Sequence, residues 1–207
     1  MLPPLMELAA KIPYWPTNEK IQKQIRDYLI QLMDLQSSPK YHQEGDTWTH
    51  TYLALKHAQD NNMSYTIQWA ILLHDIGKIW TTDPNNNYSA YGHEYISYLI
   101  AKDKILPYFV SVQTQRHRPF PIEEIILLIK YHDLGFHLPA TLKIGKSFRK
   151  AYKTVQKDSP YGGDSNYLTY FFDTLIQVIE CDQMGRLPQG DIHLRIKPYI
   201  EHMLINI

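Results

Sequence analysis

Cysteine is nearly absent from this chain of 207 residues, in which Cys181 is the single thiol. One thiol can form neither an internal disulfide framework nor a zinc site built from several thiolates. Chains of this kind are typical of reducing compartments, so the sequence predicts a cytoplasmic protein.

Long apolar runs and an excess of charge are missing as well. The longest aliphatic run, Ile125 to Ile129, is far shorter than the about 20 residues of a membrane helix, and Met1 to Ile12 lacks the basic start of a signal peptide. We therefore expect no membrane segment. Lysine plus arginine and aspartate plus glutamate both number 21, so any affinity for polyanions must come from local clusters of charge.

Period-two alternation of apolar and polar residues is scarce, whereas apolar residues recur at helical spacing in almost every segment. The pattern predicts an all-α fold, and 44% hydrophobic residues suffice for a real core. No repeat or low-complexity linker separates a second domain, so we expect a single-domain helical bundle. The expected helices lie at about 18–35, 46–59, 64–77, 90–102, 121–131, 141–157, 166–184 and 198–204. The first would be capped by Asn18 or Thr17, and the second would begin near Asp46 or Thr47.

Polar residues stand on helix faces that should be buried. His50 opens the apolar stripe of the second expected helix, His74 ends the stripe of the third, and Asp75 follows it. Asp182 takes the next stripe position on the long late helix, and His132 ends the stripe of the helix expected at 121–131. Because an unpaired buried carboxylate is very costly, these side chains call for a cation or a hydrogen-bond network.

Each of these signals is weak when it is taken alone. A single histidine on an apolar face is more often a hydrogen-bonded core residue, and the His-Asp pair occurs twice in the chain, which is close to chance. The joint pattern on four helices carries the hypothesis of a metal site. Mixed imidazole and carboxylate ligands suit Mn, Ni, Co, Fe, Mg or Zn, and the residues do not choose among these ions.

The ligand-type residues resemble those of a known family. His50, the run His74-Asp75-Ile76-Gly77-Lys78 and Asp182 resemble, in order and spacing, the HD superfamily of metal-dependent phosphohydrolases. Further runs are similar to the HD domain of bacterial CCA-adding tRNA nucleotidyltransferases, namely Gly45 to Thr51, Gly92-His93-Glu94, Tyr131-His132 and Asp182 to Arg186. No counterpart of the nucleotidyltransferase head is found, so we expect a stand-alone HD module, with a helical extension at 1–39, the HD domain at 40–190 and a last helix at 191–207.

The resemblance implies roles for single residues. Its metal signature is matched by His50, His74, Asp75 and Asp182, which are expected to hold one divalent ion. Asp75 and Lys78 are the expected catalytic residues, and the expected substrate-binding residues are Lys78, His93, His132 and Arg186. Members with a second ion recruit further histidines, and for that role His93, His132 and His117 all stay open.

The resemblance further implies hydrolysis of a phosphoester. The expected substrates are nucleotide or RNA-terminal phosphoesters, cleaved by a phosphomonoesterase or a 2',3'-cyclic phosphodiesterase. The alternative is a catalytically silent HD-fold module that binds a nucleotide or RNA.

A cationic stripe bears on the size of the substrate. Lysines recur at helical spacing from Lys143 to Lys157 with no acidic residue between them, which predicts a surface for RNA or merely a solvated face. The sequence does not predict the oligomeric state.

Overall fold

The protein is described by a computed structural model covering residues 4–38, 42–109, 120–135, 152–159, 161, 164–189, 193–194 and 197–198. The described residues form helices and isolated β-bridges but no strand, which confirms the all-α prediction. Eight α-helices of the described residues are α1 Pro4–Ala9, α2 Glu19–Ile30, α3 Thr47–Asp60, α4 Tyr65–Leu73, α5 Lys78–Thr81, α6 His93–Ile100, α7 Ile122–Tyr131 and α8 Ser165–Met184, and residues 152–158 are helical as well.

Helix α4 lies at the centre of the bundle and packs against α3, α7 and α8. All of its residues except Tyr65 are buried, as expected for a helix that is surrounded on every side. Helix α6 packs against α7 and α5. These contacts place α3, α4, α6, α7 and α8 in one packed bundle.

Side-chain caps define where the main helices begin. Asn18, Asp46, Ser64 and Asp164 each accept a hydrogen bond from a backbone N–H in the first turn of the following helix. Such caps satisfy amide groups that the helix itself leaves without a partner. The cap at Asp46 places His50 in the first full turn of α3, on its buried face.

Three helix boundaries differ from the sequence prediction by at least three residues, and one of them is the start of α6 at His93 rather than near Ala90. Helix α2 ends at Ile30 instead of continuing to Leu35, and Leu32 and Met33 follow in tight turns. Helix α4 ends at Leu73 rather than at Gly77, because the chain turns over residues 74–77 and starts α5 at Lys78. The short α1 and a π-helical turn at Ala101–Ile105 were not predicted.

The N-terminal segment packs on the same core as the rest of the described chain. Leu5 and Ala9 of α1 are fully buried, and α1 contacts α3. The indole N–H of Trp69 donates to the carbonyl of Pro13 at 3.0 Å, and Trp15 stacks on the Trp69 ring. The boundaries 1–39, 40–190 and 191–207 remain a prediction.

Within the part of the chain that the structure describes, every helix is too short or too polar to cross a bilayer. Three expected features lie wholly or partly outside these residues: His117, the helix at 198–204, and the helix at 141–157. Of the last, only residues 152–157 are described, and they include the exposed Lys153 and Lys157 of the lysine stripe.

Candidate metal centre

Helices α3, α4 and α8 bring three of the expected ligands together in the core. The Nε2 atom of His50 lies 2.8 Å from Asp182 Oδ1 and 3.3 Å from Nε2 of His74. The distance from His74 Nε2 to Asp182 Oδ1 is 3.7 Å. Both imidazoles are fully buried, and Asp182 is 2% exposed, so the late helix carries its carboxylate inward as the apolar stripe predicts.

A second pair of histidines approaches from the other side. His93 begins α6 and His132 follows the last residue of α7, and their Nε2 atoms lie 3.2 Å apart. The chain positions of these two residues are 39 apart, so only the packing of α6 on α7 creates the pair.

Asp75 lies between the two histidine pairs. Its Oδ2 is 3.3 Å from His74 Nε2 and 3.6 Å from His50 Nε2. Its Oδ1 is 3.2 Å from His93 Nε2 and 3.9 Å from His132 Nε2. One carboxylate thus presents a separate oxygen to each pair of imidazoles.

Backbone carbonyls determine which ring nitrogens are free to bind a cation. The Nδ1 atoms of three rings lie within hydrogen-bond distance of carbonyl oxygens: His74 to Ile71 at 2.6 Å, His93 to Ala90 at 2.8 Å, and His132 to Ile129 at 2.7 Å. Since a carbonyl only accepts, each Nδ1 carries the proton and each neutral ring presents a lone pair at Nε2. The facing lone pairs of His93 and His132, whose Nε2 atoms lie 3.2 Å apart, repel unless positive charge lies between them, so this donor set fits a divalent ion.

The ionisation states of the buried side chains also favour a positive ion in the centre. Burial opposes ionisation of both carboxylates, but His74 and Lys78 hold the pKa of Asp75 well below its usual value, and Arg186 and His50 do the same for Asp182. Burial also opposes protonation of His74, yet the neighbouring Asp75 and Asp182 raise its pKa to about 10. The two buried carboxylates therefore favour positive charge among the imidazoles, either as a proton or as a metal ion.

Two basic side chains border the carboxylates. Lys78 Nζ donates to Asp75 Oδ2 at 2.7 Å, and Arg186 Nη2 donates to Asp182 Oδ2 at 3.3 Å. Lys78 is 8% exposed, so its ammonium group lies at the edge of the buried cluster. These two residues are the expected phosphate-binding cations, and both are adjacent to the carboxylates.

A glycine allows the end of α8 to approach α3. A Cβ atom at Gly185 would lie 2.8 Å from the carbonyl oxygen of His50 and 3.0 Å from its ring carbon Cε1. Both distances are shorter than ordinary contacts, so a side chain here would displace His50. Gly185 therefore allows α8 to lie close to His50, while the next residue, Arg186, supplies a positive charge beside Asp182.

The helical pattern of the sequence assigns no site role to Glu44 or His42. Glu44 Oε1 lies 2.6 Å from His42 Nδ1 and 3.3 Å from His50 Nδ1. Both residues belong to the loop just before the Asp46 cap, so their nearness to His50 was the only signal available in the sequence.

The buried His132 should make the metal-free protein sensitive to acid. Burial, together with the nearby His74 and His93, lowers the pKa of His132 from 6.5 to about 4. Between these pH values the unfolded chain binds a proton that the folded chain does not, so the contribution of His132 to stability is full above pH 6.5 and falls as the pH drops towards 4. The slope contributed by this residue should be about 1 kcal/mol per pH unit.

Urea unfolding of EDTA-treated protein at pH 7 and pH 5 measures this loss. The His132→Gln variant should show a shallower dependence of unfolding free energy on pH than the wild type. Identical slopes for the two proteins would contradict the assignment of a neutral buried imidazole.

The fold and the centre together define a class: a helical protein with buried histidine and aspartate side chains arranged for divalent metal ions. The family model for the HD domain matches residues 47–159, which is more than half of the chain. The chain belongs to the HD domain family, whose members are generally metal-dependent phosphohydrolases.

The chain is similar to several curated proteins that are named multifunctional CCA protein. The multifunctional CCA protein of Acinetobacter baumannii (strain AYE) is 23% identical over 160 residues, which are 77% of this chain and 34% of that protein. The multifunctional CCA protein of Alkalilimnicola ehrlichii is 42% identical over 53 residues, which are 26% of this chain and 13% of that protein. The one of Halorhodospira halophila is 44% identical over 50 residues, which are 24% of this chain and 12% of that protein. The chain spans about a third of the length of the Acinetobacter protein. No solved structure matches the chain.

Proposed function

We propose that the protein is a metal-dependent phosphohydrolase that acts on a nucleotide or RNA-terminal phosphoester, as a phosphomonoesterase or 2',3'-cyclic phosphodiesterase. The observation that carries this proposal is the position of Asp75 between two facing pairs of imidazoles. The similarity to multifunctional CCA proteins supports a substrate of the nucleotide or RNA class.

The proposed ligands fall into two groups that share Asp75. His50, His74, Asp75 and Asp182 would hold one divalent ion, and Asp75 with His93 and His132 would hold a second. The bound metal would supply Lewis acidity towards the phosphoryl group and lower the pKa of water. His93 and His132 were also predicted to bind substrate, and their facing Nε2 atoms favour the ligand role.

The residues of the chain have separate tasks in this hydrolysis. Water adds across a P–O bond, so that a hydroxyl group joins phosphorus and a proton joins the leaving oxygen. We assign to Asp75 the orientation of the attacking water, because its buried Oδ1 has no well-aligned hydrogen bond in the described structure. Lys78 and Arg186 would bind phosphate oxygens and offset their charge.

Metal analysis joined to a phosphoester panel tests the proposal. Purified protein should retain a divalent ion, and it should hydrolyse model phosphomonoesters or 2',3'-cyclic nucleotides when supplied with Mn, Ni, Co or Mg. Metal and nucleotide binding without turnover would favour the silent binding module. Absence of metal binding would overturn both.

The salt dependence of binding affinity tests whether the substrate is RNA or a small phosphoester. If the stripe from Lys143 to Lys157 binds RNA, affinity for an RNA oligonucleotide should fall steeply with salt concentration. A flat response would confine the substrate to small phosphoesters. A cytoplasmic location remains part of the proposal.

A further inference from the structure

Glu44 is a buried carboxylate that the proposed chemistry does not use. Its side chain is 0% exposed although it lies in a loop, immediately before the cap of α3. A lone buried carboxylate is unfavourable unless several donors surround it. The contacts of Glu44 therefore indicate why the chain keeps a carboxylate here.

Three groups from three parts of the chain surround this carboxylate. His42 Nδ1 lies 2.6 Å from Oε1, and the backbone N–H of Leu187 donates to Oε2 at 2.8 Å. His50 Nδ1 lies 3.3 Å from Oε1. Burial opposes ionisation, but these donors hold the pKa of Glu44 well below its usual value, so the group is a carboxylate at neutral pH.

His50 depends on Glu44 for the proton on its Nδ1 atom. The other three histidines of the centre have backbone carbonyls opposite Nδ1, whereas His50 has none in the described structure. Its buried Nδ1 faces Glu44 Oε1, although the alignment falls short of a good hydrogen bond. A carboxylate only accepts, so this contact favours the tautomer with its proton on Nδ1 and its lone pair on Nε2.

A separate metal ion bound by His42, Glu44 and His50 is a poorer account of the cluster. Both oxygens of Glu44 already face donors, and His50 already directs its Nε2 atom towards His74 and Asp182. An ion between His42 and His50 would have to displace these protons. The cluster is better suited to orient a ligand than to bind an ion.

Glu44 also joins the two loops that flank the centre. Gln43 N donates to the carbonyl of Leu187, while Leu187 N donates to Glu44, so the chain after α8 is held against the chain before α3. The same segment includes Gly185, which touches His50, and Arg186, which binds Asp182. Loss of the carboxylate would loosen both the His50 ring and its neighbours.

We propose that Glu44 is a positioning residue that fixes the tautomer and orientation of His50 as a metal ligand and ties the Leu187 loop to it. This inference rests on the proposed metal centre. Partners of this kind commonly change metal affinity by 10- to 100-fold when they are removed.

The first test compares Glu44→Gln with the matched variant Glu180→Gln. Glu180 pairs with His57 at 3.3 Å, so Glu180→Gln removes a carboxylate–histidine contact that lies outside the centre. Metal-free proteins are titrated with Mn²⁺ while the free ion is followed by electron paramagnetic resonance, and thermal melting is recorded without metal. We expect about 10- to 100-fold weaker binding for Glu44→Gln and wild-type binding for Glu180→Gln.

A purely structural role gives a different result. In that case Glu44→Gln would lower the melting temperature of the metal-free protein and leave the Mn²⁺ affinity of the folded protein unchanged, which overturns the proposal. Glu44→Asp keeps the charge but shortens the side chain, so it should also weaken binding. Glu44→Asp replaces Glu44→Gln in the titration if the glutamine variant does not fold. Wild-type Mn²⁺ affinity in Glu44→Asp would also overturn the inference.

A measurement on the wild type needs no variant. Long-range ¹H–¹⁵N spectra of the Zn²⁺-loaded protein should show His50 protonated at Nδ1, and a proton on Nε2 would contradict the inference. If the wild type binds neither Mn²⁺ nor Zn²⁺, the proposed metal centre itself is wrong. The two failures are therefore distinguishable.

Discussion

Asp75→Asn should reduce phosphoester hydrolysis by at least about 10³-fold, because a metal ion contributes several kcal/mol to such reactions and each 1.36 kcal/mol is a factor of ten. Asparagine keeps the shape of the side chain but offers one oxygen instead of two, so it cannot serve both histidine pairs. It also removes the charge that Lys78 contacts at 2.7 Å.

Steady-state turnover and metal content of the same preparation check this prediction. Asp27→Asn is the matched control, since it removes an exposed carboxylate that pairs with Lys23 away from the centre. The control should behave as the wild type in both measurements. Turnover by Asp75→Asn within tenfold of the wild type would remove Asp75 from the proposed mechanism.

Gly77→Ala should destabilise the protein by about 3 kcal/mol and release the second metal ion. A Cβ atom at this position would overlap the carbonyl oxygen of His93 and lie 2.7 Å from the backbone nitrogen of Ser97. Because these are backbone atoms of α6, they cannot rotate away, and the helix that carries His93 must move from Asp75. The melting temperature should fall by about 10 °C in a chain of this size.

Ser97→Ala separates the packing effect from a hydrogen bond. The Ser97 hydroxyl accepts from the N–H of Gly77 at 2.8 Å, so its removal alone should cost about 1 kcal/mol. The double variant should be no more stable than Gly77→Ala, since the backbone contacts persist. The melting temperature and the metal content of each variant are measured. If Gly77→Ala binds as much metal as the wild type, α6 tolerates the displacement and the prediction is wrong.

The inward positions of His50, His74 and Asp182 could be predicted because helical periodicity assigns each residue to a face. A residue that continues an apolar stripe is carried into the core by the helix, whatever its own polarity. The caps Asn18, Asp46 and Ser64 were predictable for a related reason, because a cap acts within its own helical turn.

The ends of α2 and α4 were mispredicted because apolar spacing continues past the point where the backbone turns. Leu32 and Leu35 still contact the core from turns, so the stripe gives no sign that the helix has ended. At α4 the turn of residues 74–77 is held by Ser97 of a later helix, which no local pattern reveals.

The sequence by itself determined an all-helical chain of the HD family and four buried ligand-type residues, because helix periodicity and short motifs are local properties of the chain. Only the tertiary structure decided that His93 and His132 face each other across Asp75, and that Glu44 lies behind His50. Those contacts join residues from separate helices and loops, and their distances follow from how the helices pack.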